Sequence, residues 1–596
     1  MSERHGLLAP PRHPVLSLAV QAHTAPPARV QSRFEVLVRH ILHRFFHNEL
    51  LASDDETKRV MQIAAAVALP TLIVSLFLFP AYHAFPPAPL HRPFWSQAGD
   101  HSFYVIYSFV VMGAATVYEW DLLFPDTLDI FVLSVLPIPN RKLFFARVLA
   151  LAVFLLLVQV GTSILGTLFL PLAAEQHNFL RHLFSHFVAV TISGIFAAAT
   201  FLSLQGILLN TVGEGLFRRI TPLLQGLSIM VLLAVLLLCP TVAGSLEALL
   251  TSGSPAIRYF PPFWFLGIYE YLLDGASTPA IFHDLARTGC YALVIMLACT
   301  LLTYPLAYRR RVRQLIEGSA AISTRSSGTN LIRRLLHSTL LRHPSQRAVF
   351  HFISQTILRG QRQRISLAIF GGLSVALALA QMVTLQVEPG HIHIALLPDG
   401  IRSAIPIVAF FTVAGLRSVL AAPVDRRGSW LFRVLIGRPR SGHLAGAYLW
   451  ISLTTFLICS GTVLLLHSLS PASMQIPRTT TGQLLVAIGL SLLLPDILLF
   501  SVRAIPFTQL HKSSVNDLPL AVLRYLVLFP IFVSILVAKE AWIEGSATHL
   551  LATTILLVGT HLTLQRAHAN LLAQSTLDTA PDEADEFPQR LGLRDA

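Results

Sequence analysis

The sequence predicts an all-α polytopic membrane protein with about twelve transmembrane helices arranged as two parallel six-helix halves. Twelve apolar stretches, each about 18–30 residues long, divide the chain from Val60 to Leu564. A bilayer core about 30 Å thick needs about 20 apolar residues per helix, and lipid leaves only helices or closed barrels as spanning structures. The short alternating segments of a membrane barrel are absent from the sequence. Composition agrees, since 54% of the residues are hydrophobic and only 13% are charged.

The predicted spans are residues 60–82, 102–119, 143–171, 181–210, 221–243, 286–308, 365–387, 401–421, 443–467, 481–502, 519–538 and 548–565. They imply six regions: a disordered tail at 1–32, an amphipathic interfacial helix at 33–59, half one at 60–308, a basic connector at 309–364, half two at 365–566 and an acidic tail at 567–596. The apolar stretch Pro14 to Ala22, broken by Gln21, leaves a cleaved signal peptide as the alternative to the disordered tail.

The positive charge lies on one side of the predicted membrane. The net charge is +13, and arginine supplies 40 of the 44 basic residues. Loop 309–364 holds twelve Arg against one acid, Glu317, whereas loop 83–101 holds only Arg92 and loop 388–400 holds no Lys or Arg. The positive-inside rule therefore predicts an inner (plasma) membrane protein with both termini in the cytoplasm. Because the basic residues lie along one membrane surface, we expect them to face the lipid bilayer, and no nucleic-acid partner is predicted.

The six-plus-six grouping predicts a parallel repeat about an axis along the membrane normal, because each half has an even number of spans. In each half the second span runs into a cytoplasmic loop of about 20 residues that contains a Trp. The candidate coupling residues in these loops are Trp120, Asp121, Asp126, Asp129, Pro137, Pro139, Arg141, Lys142, Asp425 and Trp430. The alternative is coincidence, since any twelve-span chain divides by two and the halves share little identity.

An amphipathic segment precedes each half. Apolar residues recur at helical spacing between Phe34 and Phe46, and again between Val349 and Ile357, with Arg and His residues around them. A helix that is basic on one side and apolar on the other favours the cytoplasmic headgroup layer. A linker helix facing the cytoplasm is the alternative.

These features together resemble the type-2 permeases of ABC exporters. Members of that family have an interfacial helix, six spans, a short coupling loop between spans two and three, and a partly re-entrant hairpin between spans five and six. The resemblance covers 33–308 and, less closely, 347–566. It implies an exporter subunit with no catalytic residue and no cofactor of its own. Because no G-x-x-x-x-G-K-[ST] motif occurs, ATP would be hydrolysed by separate P-loop ATPase subunits on the cytoplasmic face.

The aromatic stretch from Tyr259 to Glu270 matches the outer hairpin of that family, with Pro261, Pro262 and Trp264 as its candidate residues. We expect it to rest on the outer membrane surface, with Trp120, Trp264 and Trp542 as membrane-interface residues. A recognition role for Trp264 is the alternative. Half two departs from the family, because its outer loop, 539–547, is too short for such a hairpin.

Two polar features interrupt half two. Asp496, inside the tenth span, could form an intramembrane pair with Arg524, either as a structural pair or as part of a transport path. His391 and His393 could share a metal ion if the segment is a strand, but with no third ligand a solvated loop is favoured and no metal is predicted. The four cysteines lie in apolar stretches without C-x-x-C spacing, so neither disulfides nor a metal site are predicted.

Two other functions stay open. A secondary transporter would need more polar groups at mid-membrane and broken helices, and only Pro495-Asp496 fits that description. A polytopic membrane enzyme such as a glycosyltransferase would present acids on a large outer loop. The largest outer loop, about 244–285, carries only scattered acids, and no catalytic motif accompanies them.

Overall fold

A computed structural model of the chain describes residues 33–46, 56–83, 92–120, 124, 138–174, 178–212, 214–317, 336–388, 391–421, 441–469, 477–500, 506–507 and 518–575. Within these residues helices dominate, and two strands form one antiparallel pair. Eleven of the described helices are long and apolar enough to cross a membrane. The protein is therefore an all-α polytopic membrane protein, which confirms the predicted fold class.

In half one and the segment before it, the described residues form ten α-helices, of which six correspond to predicted spans. Its helices are α1 (Arg33–Phe46), α2 (Glu56–Tyr82), α3 (Phe94–Tyr118), α4 (Asn140–Ala173), α5 (Phe179–Thr211), α6 (Glu214–Leu237), α7 (Cys239–Gly244), α8 (Leu246–Thr251), α9 (Pro261–Asp274) and α10 (Ala280–Glu317). The spans are α2 to α6 and α10. The predicted span 221–243 ends early, at Leu237, because Pro240 has no amide hydrogen with which to continue the helical ladder.

Half two contains α11 (Pro344–Arg359), α12 (Gln361–Met382), β1 (Val383–Glu388), β2 (His391–Leu396), α13 (Pro398–Ala421), α14 (Ser441–Leu469), α15 (Pro477–Leu498), α16 (Leu518–Glu544) and α17 (Ala547–Ser575). The predicted span 519–538 lies in α16, where the side chains of 518–527 are outside the described set. The prediction of a helix through 387 is wrong. Residues from Val383 pair with β2, because the apolar Val383, Leu385 and Val387 alternate with polar residues, the pattern of a strand.

The two halves pack their helices in the same order. In each half the second span contacts the third, fourth and fifth spans, and the fourth span contacts the third and sixth. The amphipathic helix contacts the third span in both halves, as α1 on α4 and α11 on α14. The first spans differ: α2 packs on α4, whereas α12 packs on α13. The shared order has the form of a parallel repeat, and superposition of the halves stays a prediction.

Helices α6 and α12 form the main described contact between the halves. A close approach of their backbones requires small residues, and a Cβ added at Gly372 would lie 3.0 Å from the Met230 Cα. On the predicted outer face, Leu385 of β1 packs against an apolar cluster whose buried helical residues come from α3, α8, α9 and α10. The halves therefore meet both within the bundle and through the hairpin of half two.

The apolar faces of the two amphipathic helices are covered by protein. Leu37 and Ile41 of α1 are buried in the core that α4 helps to form, and Ile353 of α11 is fully buried against α14. The indole Nε1 of Trp450 donates a hydrogen bond to the Ser354 hydroxyl at 2.8 Å, which joins α14 to α11. Each amphipathic helix is thus fixed to the third span of its half, so that movement of the amphipathic helix would displace that span.

Candidate functional site

Helix α9 is inserted into half one and does not rest on its surface. It packs against α3, α5 and α10, and Phe265, Leu266 and Tyr269 are fully buried. A Cβ at Gly267 would lie 2.8 Å from the Phe282 carbonyl oxygen, so only glycine permits this approach to α10. The expectation of a surface position is therefore wrong, because the aromatic residues of α9 pack against neighbouring helices where lipid headgroups were expected.

The predicted hairpin residues serve to begin and hold α9. Pro261 and Pro262 occupy its first turn, where a missing amide hydrogen costs nothing. The half-buried Trp264 donates from its indole Nε1 to the Arg258 carbonyl at 2.9 Å. The segment between the fifth and sixth spans is therefore a folded insertion with its own helix.

The insertion of α9 creates a buried polar cluster, which we call the histidine cluster: His101 of α3, His182 and His186 of α5, and Tyr269 and Glu270 of α9. His101 Nδ1 lies 2.7 Å from Glu270 Oε1, and both side chains are at most 2% exposed. The Tyr269 hydroxyl lies 2.8 Å from His182 Nε2 and 3.1 Å from His186 Nδ1. The His101 and Tyr269 rings stack with centroids 4.2 Å apart. Three elements thus converge on one polar centre.

Proton counting restricts the chemistry of this cluster. The Tyr269 hydroxyl has one proton, so it donates to one of His182 and His186 and accepts from the other. Each of the three imidazoles keeps one buried ring nitrogen without a hydrogen-bond partner among the described residues. Burial, with a smaller contribution from Asp274, raises the pKa of Glu270 well above its ordinary value. Burial therefore favours the protonated form of Glu270 beside His101.

Two further polar groups of half one lie near the histidine cluster. Toward α2, the Ser75 and Tyr104 hydroxyls lie 2.7 Å apart, and the Tyr104 ring meets His186 edge-on with centroids 4.9 Å apart. Ser75 also lines a cavity of about 190 Å³ whose other walls are apolar. Toward the predicted outer face, Arg92 holds Asp100 through two hydrogen bonds of 2.6 and 2.8 Å.

Asp496 forms a second buried polar network, near the predicted cytoplasmic face of half two. Its carboxylate accepts from the Tyr448 hydroxyl at 2.6 Å and from Gln565 Nε2 at 2.9 Å, and it lies 2.6 Å from His561 Nδ1. These contacts join α14, α15 and α17. Arg524, the predicted partner, has its side chain outside the described residues, so that pair stays a prediction.

Most of the predicted coupling loops also lies outside the described residues. Asp121, Asp126, Asp129, Pro137, Asp425 and Trp430 fall there. Of the others, Pro139 precedes the first residue of α4, and Arg141 and Lys142 are exposed at the start of that helix. Trp120 is fully buried, and its carbonyl accepts from Gln205 Nε2 at 2.7 Å. Its expected position as a membrane-interface residue is therefore wrong, because neighbouring helices enclose it.

His391 and His393 both lie in β2, so the segment is a strand, as a metal ion shared by the two imidazoles would require. His393 is exposed, and the described residues contain no group of three His, Cys, Asp or Glu side chains placed to hold a metal ion. Trp542 is 45% exposed at the end of α16, where an interface residue is expected.

Sequence reasoning missed the three histidines of the cluster. One signal was available, because His182 and His186 lie four residues apart inside an apolar span and therefore share one face of a helix. His101 and Glu270 are separated by 169 residues, and nothing local indicates that they meet. Comparisons with protein-family models, with curated proteins and with solved structures found no match to this chain.

Proposed function

We propose that this chain is the permease subunit of an ABC-type exporter in the inner (plasma) membrane, with both termini in the cytoplasm and ATP hydrolysed by separate P-loop subunits. The observation that carries the proposal is the packing order shared by the two halves, each with an amphipathic helix fixed to its third span. One chain would then supply both membrane halves of the exporter.

The position of the coupling loop supports a mechanical role. The loop 121–139 joins α3 to α4, and α4 also carries α1. A short loop joining two spanning helices can pass motion from a bound ATPase into the bilayer, whereas a long flexible tail cannot. Pro137 and Pro139 would stiffen the loop by restricting φ. The inserted α9 contributes the histidine cluster to half one, on the predicted outer side of the membrane.

Co-purification tests this proposal. The full chain, with Asp126 and Asp129 reversed to Lys, is isolated from its native membranes beside the wild type. We expect a P-loop ATPase with the wild type and reduced recovery with the variant. The matched control is Asp582→Lys and Glu583→Lys in the acidic tail, which should leave recovery unchanged. Absence of any nucleotide-binding partner from the wild type would contradict the proposal.

A secondary transporter is the second candidate, favoured by the Asp496 network. A carboxylate in a membrane helix costs about 2.5–3.5 kcal/mol on insertion scales, and such residues commonly serve ion pathways. This function predicts transport that follows an ion gradient and persists without ATP. Transport by the purified chain in vesicles, with no ATPase present, would favour it over the exporter.

A further inference from the structure

The basic connector ends in a short segment that is docked on α11, on the predicted cytoplasmic face. This segment, residues 336–341, is helical at 336–339 and is called the connector end below. Arg347 of α11 donates from Nε to the Leu341 carbonyl at 2.7 Å and from Nη2 to the His337 carbonyl at 3.0 Å. One arginine of α11 therefore holds the backbone of the connector end at two points.

A second contact joins the same two elements through a pair of imidazoles. Nε2 of His337, in the connector end, lies 2.8 Å from Nε2 of His351, which follows Arg347 by one turn of α11. The ring centroids are 5.1 Å apart, so the two half-buried rings meet through these nitrogens. Both histidines lie outside the candidate membrane spans. The docking of the connector end thus includes one contact between titratable groups.

The hydrogen bond between the two rings limits how many protons they can hold. A ring nitrogen donates when it carries a proton and accepts only through a free lone pair. One Nε2 must therefore carry a proton while the other must not. If both rings were imidazolium ions, both Nε2 atoms would be donors and the rings would carry like charges. The contact made by His337 and His351 is consequently compatible with one imidazolium ion but not with two.

The surroundings of the pair supply no acid to offset a second positive charge. The sequence contains no Asp or Glu from 318 to 387, which covers the connector end, α11 and α12, and none from 441 to 469, which covers α14. Helices α12 and α14 are the long helices that pack on α11 among the described residues. Besides the pair, the described side chains of these elements that can carry charge near neutral pH are all basic: Arg342, His343, Arg347, Arg364, His443 and His467.

We propose that His337 and His351 form a proton-sensitive latch, which docks the connector end on α11 near neutral pH and releases it on acidification. The Arg347 contacts do not titrate in this range, so the pair supplies the pH dependence. Helix α11 would stay on α14 through its apolar residues, such as the fully buried Ile353. The latch goes beyond the proposed export function, because it holds for any transport mechanism of this chain.

The direction of the response follows from counting protons. An ordinary imidazole takes up its second proton near pH 6.5, or about that value. Once released, both rings can be imidazolium ions, whereas the docked pair can hold one at most. Release therefore takes up at least one proton, so docking is complete above this range and is lost as the pH falls. Linkage predicts that the ratio of released to docked molecules rises about tenfold per pH unit below about pH 6.5.

Hydrogen exchange of the full chain in lipid nanodiscs, followed by mass spectrometry from pH 7.5 to pH 5, tests the latch. The amides of Leu340 and Leu341 both donate to the Leu336 carbonyl, so release of the connector end should expose them. Their rates are divided by those of the denatured chain at the same pH, which removes the intrinsic effect of pH on exchange. We expect the corrected rates of the wild type to rise about tenfold per pH unit in the acidic half of this range.

Glutamine variants separate a titrating role from a merely structural one. A glutamine amide can donate to or accept from the opposite imidazole but does not take up a proton in this range. His337→Gln should therefore stay docked and lose the acid response, and His351→Gln is the second variant if the first fails to fold. The matched control is His343→Gln, at an exposed histidine just before α11, which should respond as the wild type does.

Three results would overturn the latch. The first is a wild type whose corrected rates do not rise on acidification. The second is an acid response that both glutamine variants of the pair keep, or that the His343→Gln control loses. The third is fast exchange in both glutamine variants already at pH 7.5, because the hydrogen bond that glutamine preserves would then not be what docks the connector end.

Discussion

The protonation state of Glu270 can be tested by replacing it with glutamine and following stability against pH. Glutamine keeps the size of the side chain and can still hydrogen-bond to His101, so the direct cost is about 0.5–1.5 kcal/mol, the value of one hydrogen bond. The informative quantity is how the stability difference between Glu270→Gln and the wild type changes with pH. The histidines are common to both proteins, so their own titration largely cancels in that difference.

The sign of the change follows from the pKa of Glu270, which burial raises well above its ordinary value. The folded protein keeps the carboxyl proton, whereas the unfolded chain releases it above a pH of about 4.3. The stabilisation from this carboxyl is therefore complete at low pH and is lost as the pH rises toward the folded pKa. Linkage gives a loss of about 1.4 kcal/mol per pH unit for one proton. Glu270→Gln has no such proton and no such loss.

The assay is the apparent Tm of both proteins in nanodiscs across the mildly acidic to mildly alkaline range, with Glu247→Gln as the exposed control. We expect the variant to gain on the wild type as the pH rises. The reasoning is refuted if the variant instead loses stability relative to the wild type at higher pH, because Glu270 would then be an ionised partner of a charged His101. A constant difference would also refute it.

Three further predictions follow from single contacts. Gly267→Ala should destabilise half one by about 1–3 kcal/mol, because its Cβ would meet the α10 backbone. Gly244→Ala should be near neutral, because the added Cβ meets nothing within 4 Å. Thermal unfolding of both variants checks this prediction. Asp496→Ala should cost about 3–5 kcal/mol in the same assay, and Asp496→Asn clearly less, since alanine removes the acceptor of the Gln565 amide whereas asparagine keeps one carbonyl oxygen there. Reporter fusions at Ser468 should read external and fusions at Ser575 internal, and a reversed result would contradict the topology.

Hydropathy predicted the spans because the bilayer imposes one length scale on every spanning helix. It failed at Val383, where an apolar run continues past the helix but alternates with a period of two. Run length alone cannot separate a helix from a strand in so short a segment. The early end of α6 could have been read from Pro240, which a window average ignores.

The polar networks were less predictable, because their members are distant in sequence. Asp496 was identifiable as a buried charge, but its partners lie 48 to 69 residues away, and nothing in the sequence ranks His561 above Arg524. Trp120 was assigned to the membrane interface from residue type alone, and its burial depends on helix packing. The position of α9 inside half one likewise depends on contacts with three helices.

The measurement that tests the central claim most directly is the native mass of the complex isolated with this chain from its own membranes. If one chain supplies both halves of an exporter, the complex should contain one copy of this chain and two copies of a P-loop ATPase. Its ATP hydrolysis should depend on the permease. A complex with two copies of this chain would contradict the pairing of halves within one chain. Transport by the chain alone, driven by an ion gradient and indifferent to ATP, would contradict the exporter itself.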